Sequence, residues 1–383
     1  MQQRSISREN NTEKTSASIY KTCHPVTLSP CYLVTLLPCY FVTKQSTSLP
    51  ASVFIKFFKS SFFGQYLVIG IIGVCLWLSA FINPPGMPAP EGPTPFYSLL
   101  YYLLSGYPAL ASIVGFILVL AETYWLTTIL SRHELVLKNS SLSALVFLVF
   151  MSFLPGQLTL NPINISLGFM ILILYHLLIS YNKPDHLDRI FAAGFFTSMA
   201  GLFYLPFLLW FLFVMISFLV LRALNWRVWT ASLIGLSTPF IYLAAWYFWN
   251  GELLSRLLEY PAFFRQVLVF PNPFHTDFWI FCGYTFFLAI WGIFYFSSGP
   301  EKTVEIRAKT SILLWTLVFT VISFTYTRSM AIFHPALAMP AMTMIITGML
   351  TNLKKTRVAE IILLIYFLGV LLNNLFIHNL VYH

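Results

Sequence analysis

Charged residues are scarce in this sequence of 383 residues, at 9% against 58% hydrophobic residues, and the mean hydropathy is +0.77. A soluble domain carries roughly 25% charged residues, so this chain has too few to cover a surface that faces water. Apolar runs of about 20 residues, the length that crosses a hydrocarbon core, recur along most of the chain. The composition therefore predicts an integral membrane protein and excludes a soluble globular domain.

Recognisable cofactor and metal motifs are lacking as well. The five cysteines form no CxxC or Cys/His spacing, so we predict no disulfide framework and no metal site. The sequence has no P-loop, HExxH or GxSxG motif, which excludes an ATP-driven pump and a soluble-type hydrolase, and no cofactor is predicted. The net charge is +9, but the basic residues are scattered over short loops, so nucleic acid is not an expected partner.

The first fifty residues differ from the rest of the chain. Residues 1–22 are polar and predict disorder. The stretch that follows, "VTLSPCYLVTLLPCYFVTKQ", is a short repeat whose prolines would break a helix. A signal peptide is one interpretation, but no small-residue cleavage site follows a clean apolar core. We favour translation from an early start codon, and we predict a leader over 1–50 and one helical transmembrane domain over 51–383.

The apolar runs predict an all-α, polytopic membrane protein with about eleven transmembrane helices. Their ranges are 62–82, 109–130, 141–154, 163–181, 190–204, 206–222, 230–249, 277–297, 310–328, 333–352 and 358–379. The stretch from Ile190 to Leu221 is divided in two, because a single helix of that length would run about 48 Å, well beyond a hydrocarbon core. Pro206, in "LFYLP", predicts the turn between the two short helices.

Lysine and arginine predict the orientation of these spans, because cytoplasmic loops carry an excess of both. With the N-terminus inside, three basic residues face outward, and they are Arg256, Arg265 and Arg328. Twelve face the cytoplasm, and they are Arg132, Lys138, Lys183, Arg189, Arg222, Arg227, Lys302, Arg307, Lys309, Lys354, Lys355 and Arg357. The N-terminus is therefore predicted to lie inside.

Two outward segments predict helices that lie in the membrane interface. In residues 252–260, four leucines form one helical stripe opposite Glu252, Ser255, Arg256 and Glu259. Residues 96–104, "FYSLLYYLL", have an aromatic-rich face suited to the same depth. The outer face is therefore predicted to be structured, and it is where we look for function.

Glu91 is the first candidate functional residue. It is the only acidic residue of the outward loop "NPPGMPAPEGPTPFYSLLYYLLSG", whose prolines have φ fixed near −65°. A solvated surface glutamate is one interpretation. The other is a carboxylate held over a membrane cavity, where it acts as general base for an acceptor hydroxyl or holds a divalent cation.

Glu122 lies inside the second predicted span, where a charge costs on the order of 3 kcal/mol at the bilayer centre. It must be neutral, paired or facing a wet cavity. A structural hydrogen bond to a neighbouring helix and a role in transport or proton relay both remain open.

The second outward loop supplies candidate substrate contacts. Arg256 and Arg265 could bind a phosphate through bidentate hydrogen bonds, with His275 beside them. Arg328 and His334 are predicted to face the same side and could join that anionic site. The alternative is that Arg256 and Arg265 pair with Glu252 and Glu259 on an interfacial helix.

The order of features resembles the membrane half of the C-type integral-membrane glycosyltransferases. Residues 62–260 carry this resemblance, through the acidic outward loop, "LTLNPINISLGFMILILYHLL", "FAAGFFTSMAGLFYLPFLLWFLFVM" and the basic turn "LRALNWRVW". It implies transfer of a sugar from a polyprenyl-phosphate carrier at the outer leaflet, with Glu91 as the catalytic acidic residue. Those enzymes usually show an Asp or an acidic pair at this position.

The segments "AAGFFTSMAGLFYLP" and "WRVWTASLIGLSTPFIYL" also resemble a family of uncharacterised bacterial polytopic inner-membrane proteins, over most of residues 52–380. This resemblance implies a multi-pass protein of the bacterial inner membrane. The expected partners are membrane lipids, a polyprenyl-phosphate sugar among them. A non-catalytic subunit of an envelope-assembly or secretion complex, with membrane-protein partners, and a carrier that uses Glu122 are the alternative functions.

Overall fold

The structure is a computed structural model that describes residues 57–58, 62–138, 140–153, 157–181, 186–221, 225–267, 290, 303–324, 331–352 and 356–381. These residues form helices and connecting segments, with no strand among them. The predicted leader over 1–50 lies outside the described residues, and so does the span predicted over 277–297, apart from residue 290.

The described helices follow one another along the chain with short connections. The α-helices are α1 (Phe63–Leu76), α2 (Leu78–Ile82), α3 (Pro95–Leu104), α4 (Pro108–Arg132), α5 (Leu142–Met151), α6 (Pro162–Ile179), α7 (Leu187–Phe203), α8 (Phe211–Val220), α9 (Trp226–Trp249), α10 (Leu253–Val267), α11 (Val304–Phe324), α12 (Met339–Asn352) and α13 (Thr356–Val381). Two 3-10 helices cover Leu205–Trp210 and Ala331–Ala338.

Five of the described helical stretches are long and apolar enough to cross a membrane. They are Pro108–Arg132, Pro162–Ile179, Trp226–Trp249, Val304–Ser323 and Phe333–Thr351. Shorter apolar helices cover Phe63–Leu76, Leu142–Met151, Leu205–Val220 and Leu363–Leu372. The all-helical fold class is confirmed, while the number of eleven spans and their orientation stay predictions.

The span predicted over 141–154 is the short helix α5, and every one of its ten residues is buried. A helix of that length rises about 15 Å, roughly half of a hydrocarbon core. It packs against α1, α4 and α12. A helix that is apolar on all sides belongs inside a bundle, and α5 therefore forms the centre of this one instead of facing lipid.

The chain breaks after α7, as the proline in "LFYLP" predicts. Tyr204 takes an extended conformation (φ −141°, ψ 96°), and Pro206 lies in the first turn of the 3-10 helix that follows. The 3-10 helix turns back onto α7, where a Cβ at Gly201 would overlap the side chain of Leu208. The long apolar stretch is thus two helices, α7 and α8, joined by a compact turn.

Glycines bring α7 and α9 into backbone contact. A Cβ at Gly194 would overlap the carbonyl oxygen of Ser232, and a Cβ at Gly235 would overlap the carbonyl oxygen of Phe191. In a membrane, where the hydrophobic effect does not drive helices together, such close backbone approach is a principal source of packing energy. The α7–α9 pair is therefore a rigid part of the scaffold.

Lys309, assigned above to a cytoplasmic loop, lies within α11 and is 6% exposed. Its ammonium group is 3.0 Å from Nδ1 of His133, pairs with the carboxylate of Glu305 and lies 5.9 Å from the centre of the Tyr181 ring. These partners compensate the burial of the charge. Lys309 therefore joins α11 to the end of α4.

Candidate functional site

The proline-rich segment that precedes α3 is fixed to the bundle by the first turn of that helix. Tyr97 is fully buried, and its hydroxyl donates a 2.7 Å hydrogen bond to the carbonyl oxygen of Pro88. Tyr97 also packs with Met87, Ala111 and Leu160, so the segment covers the start of α4 and the residues before α6. The loop is therefore held in place and does not extend freely into solvent.

Gly92 joins this loop to α10. Its φ of +76° lies in the left-handed region that favours glycine, and a Cβ there would overlap the ring of Phe263. The same residue thus permits both the turn and the close approach of the aromatic ring. The two segments predicted to form the outer face are in direct contact.

A cleft of about 530 Å³ lies between the loop and α10. Its lining residues are Gly92, Pro93, Thr94, Pro95 and Ser98 on one side, and Tyr247, Arg256, Glu259, Tyr260, Ala262 and Phe263 on the other. Tyr247 lies in the last turn of α9, one of the five helices long enough to cross a membrane. The cleft therefore lies at the end of a helix that is long and apolar enough to cross a membrane.

Glu91 directly precedes the first residue of the cleft wall. Its side chain is half-buried and has no hydrogen bond or ion pair among the described residues. Burial raises the pKa of this carboxyl group above its ordinary value of 4.5. A carboxyl group with a raised pKa is a candidate general base, but Glu91 itself is not one of the residues that line the cleft.

Arg256 lies in the cleft and forms the ion pairs that were the alternative to phosphate binding. Its Nε is 3.3 Å from Oε2 of Glu252, and its Nη1 is 3.4 Å from Oε1 of Glu259. These pairs follow from the helical spacing of the three residues on α10. The guanidinium also lies 5.9 Å from the centre of the Tyr247 ring. Arg256 is therefore already neutralised by its neighbours.

Two hydroxyl groups of the cleft lining lack hydrogen-bond partners in the described part of the chain. They are Oγ1 of Thr94, a residue that is only 2% exposed, and the phenol oxygen of Tyr260. Burial raises the pKa of Tyr260 to about 12, so the phenol keeps its proton. Leaving a buried polar group unpaired costs about 1–3 kcal/mol. Among the described residues, no hydrogen bond offsets this cost for either hydroxyl.

The other predicted substrate contacts are only partly placed. Arg265 belongs to α10, but its side chain is not among those that the structure describes. His275 and Arg328 lie outside the described residues. His334 is fully buried, and its Nε2 is 3.4 Å from the hydroxyl of Tyr204. Its burial against Tyr204 does not support a place for His334 in the predicted anionic headgroup site, and that role stays a prediction.

Glu122 is fully buried on α4, where its Oε1 would lie 3.2 Å from a Cβ at Gly168. Both carboxyl oxygens are without a hydrogen-bond partner among the residues described. The expected structural hydrogen bond to a neighbouring helix is thus not formed there. Glycine at position 168 leaves room on α6 for the carboxyl group.

Sequence reasoning missed a buried polar network beneath the loop. Asn161 caps α6 by accepting a 2.8 Å hydrogen bond from the backbone N–H of Asn164, and its own amide donates to Gln157 at 3.2 Å. Gln157 in turn donates to the carbonyl oxygen of Phe333 at 2.8 Å. The Asn–Pro pair of "LTLNPINIS" is a helix-start signal that could have indicated the cap. Its long-range partner could not be foreseen.

The cleft lining combines two hydroxyls that lack partners among the described residues, the Arg256–Glu259 ion pair and aromatic rings. Among the described residues, no group of three or more His, Cys, Asp or Glu side chains is placed to hold a metal ion. Both roles predicted for Glu91 stay predictions. No family model, curated protein or solved structure matches this chain. The two resemblances drawn from the sequence accordingly stay predictions.

Proposed function

We propose that this chain is a membrane-bound transferase that moves a sugar from a polyprenyl-phosphate carrier to an envelope acceptor at the outer leaflet. The proposal is supported by the cleft between the loop and α10, whose first lining residue, Gly92, directly follows the half-buried, unpaired Glu91 in the chain. The acceptor binds in the cleft, and Glu91 is the general base.

In the reaction, the carboxylate of Glu91 takes the proton of an acceptor hydroxyl. The acceptor oxygen attacks the anomeric carbon of the donor sugar, and the bond to the polyprenyl phosphate breaks with its electron pair leaving on the phosphate oxygen. A base is most effective when its pKa lies near the working pH, and the burial of Glu91 raises its pKa in that direction.

The donor phosphate needs cations. Arg256 would have to open its pairs with Glu252 and Glu259 before it could bind a phosphate. We therefore assign the principal phosphate contacts to Arg265 and Arg328, which the sequence predicts to lie on the same side of the membrane.

A second candidate function, a non-catalytic subunit of an envelope-assembly complex, has its own supporting observation. Only 22% of the most apolar window of α9 is buried, against 83% for Phe333–Thr351. The exposed surface of α9 includes Tyr242, Trp246 and Trp249. A membrane-protein partner could cover these aromatic side chains.

Complementation of a deletion strain tests the transferase function. The variant Glu91→Gln keeps the shape of the side chain and removes the base, while Asp188→Asn, at a 66% exposed side chain of a surface ion pair, is the matched control. We expect the deletion to accumulate an unglycosylated acceptor that wild type and Asp188→Asn clear, and Glu91→Gln does not. The envelope glycolipids are profiled by mass spectrometry.

All variants must be present at the wild-type level for this comparison. If Glu91→Gln restores the wild-type glycolipid profile, Glu91 is not a base and the proposed reaction is wrong. In that case, co-purification of a stoichiometric membrane protein with the wild-type chain would support the subunit function.

A further inference from the structure

We propose that the cleft between the loop and α10 recognises a primary ammonium group on a lipid headgroup. The inference rests on the proposed function in one respect, since it names the chemical class of the acceptor bound at that site. The same chemistry is carried by an ethanolamine-type phospholipid and by an amino-sugar glycolipid, and the experiment below distinguishes these two sources.

The balance of charge around the cleft favours a cation. Among the described residues, the charged side chains that line the cleft are Arg256 and Glu259, and Glu252 pairs with Arg256 from the same helix, so this group of three carries a net charge of −1. Arg256 is shared by these two carboxylates, so an incoming anion would meet net negative charge. An incoming ammonium group would be attracted by this negative charge, and the attraction grows as water leaves the cleft.

The unpaired hydroxyls match the donors of a primary ammonium group. Such a group carries three N–H donors and no acceptor. Oγ1 of Thr94 and the phenol oxygen of Tyr260 are buried acceptors without partners among the described residues, and the carboxylate of Glu259 also lines the cleft. Three acceptors on two walls thus correspond to three donors. A quaternary ammonium group, which has no N–H, would leave both hydroxyls unpaired.

Aromatic rings complete the site. Tyr247, Tyr260 and Phe263 contribute to the lining, and ring faces attract cations. The position of Arg256, 5.9 Å from the centre of the Tyr247 ring, shows that a cation is already accommodated against one of them.

The position of the cleft fits a lipid ligand. Tyr247 is in the last turn of α9, a candidate membrane span, and headgroups lie at the level where such spans end. On α10, next to the cleft, the leucines Leu254, Leu257 and Leu258 are 75%, 57% and 63% exposed. An exposed leucine stripe beside a polar cleft provides apolar contact for the acyl chains of the same molecule.

The test measures lipid binding to the purified, delipidated full-length chain by native mass spectrometry. Phosphatidylethanolamine and phosphatidylcholine with identical acyl chains form a matched pair, because they differ only in whether the headgroup nitrogen carries three hydrogens or three methyl groups. Losing hydrogen bonds from a charged donor should weaken binding about tenfold or more. We therefore expect phosphatidylethanolamine to bind about tenfold more tightly than phosphatidylcholine. Dodecyl glucosaminide and dodecyl glucoside form the matched pair for the amino-sugar source.

The variants Thr94→Val and Tyr260→Phe remove one hydroxyl each and retain the size of the side chain. Thr94 makes no side-chain cap hydrogen bond to α3, so its hydroxyl can be removed without uncapping the helix. Each variant should reduce the preference for the amine several-fold, while Tyr102→Phe, at an 82% exposed position of α3, should leave it unchanged.

A preference for the amine in either pair supports the proposal, and the pair with the larger ratio identifies the source. Equal binding within both pairs, or tighter binding of phosphatidylglycerol than of phosphatidylethanolamine, overturns it. Binding is measured without turnover. If Glu91→Gln loses sugar transfer and neither lipid pair shows a preference for the amine, the transferase proposal stands and this inference is wrong. If Glu91→Gln keeps sugar transfer and the amine is preferred, this inference stands and the transferase proposal is wrong.

Discussion

Gly92 and Phe263 are in direct contact, although the loop and α10 are separated in the chain by α3 to α9. Both residues line the cleft, and their contact exists because glycine supplies both a φ of +76° and the space for the ring. The loop and the interfacial helix predicted from the sequence therefore form one structural unit.

Replacing Gly92 by Ala should separate the loop from α10. The new Cβ overlaps the Phe263 ring, and an L-residue at this φ costs about 1–3 kcal/mol. We expect a lower Tm and faster proteolysis within α10. Gly86→Ala is the control, since a Cβ at Gly86 meets nothing within 4 Å. Equal Tm and proteolysis in the two variants would show that the contact does not hold α10 in place.

The stability of the protein should depend on pH through Glu91. Burial raises the pKa of its carboxyl group above 4.5 in the folded chain, so the folded state holds this proton more tightly than the unfolded state. The stabilisation from the neutral form is complete below pH 4.5 and is lost as the pH rises through the folded-state pKa. Glutamine does not ionise and should escape this loss.

Thermal unfolding of wild type and Glu91→Gln from pH 4 to pH 8 measures the effect. We expect equal Tm values at the acidic end and a higher Tm for Glu91→Gln towards neutral pH. Because Glu91 is half-exposed, solvent screening makes the difference small. A constant difference across the range would exclude a raised pKa.

The α7–α9 contact predicts strong sensitivity to a single methyl group. Gly194→Ala and Gly235→Ala each place a Cβ on a carbonyl oxygen of the facing helix, and overpacking of this kind costs about 1–3 kcal/mol. Gly70→Ala, where nothing lies within 4 Å, should be tolerated. Unfolding in detergent, followed by tryptophan fluorescence, compares the three. Wild-type stability in both interface variants would show that the helices are farther apart than described.

Replacing Glu122, unlike replacing the interface glycines, is not expected to destabilise the protein. Since neither carboxyl oxygen has a partner in the described part of the chain, Glu122→Leu should leave the Tm unchanged or raise it. A fall in Tm would mean that the carboxyl group is hydrogen-bonded after all. Proton-coupled flux in reconstituted vesicles that is lost in Glu122→Gln would support the carrier alternative.

Local chemistry made part of the structure predictable. The apolar runs located most of the described helices, Pro206 located the break at Tyr204, and the leucine stripe located the helix that became α10. The pairing of Arg256 with Glu252 and Glu259 was one of two predicted outcomes, because neighbours on one helix turn interact whatever the fold is.

The remaining features depend on contacts between distant segments. The burial of His334 against Tyr204 and of α5 on all sides requires knowledge of which helices are adjacent. The same is true of the Gln157–Phe333 hydrogen bond and of the hydroxyl groups left unpaired at Thr94 and Tyr260. Hydropathy describes how a residue interacts with lipid or water, and it carries no information on which helix lies beside it.

The two walls of the cleft are made at different times. The loop and α3 leave the ribosome early, whereas α10 follows only after six further helices, α4 to α9, have been synthesised. A nascent chain that ends at Trp249 therefore contains Glu91, Thr94 and Tyr247 but lacks the five lining residues that α10 supplies. The cleft is complete only once α10 has been synthesised.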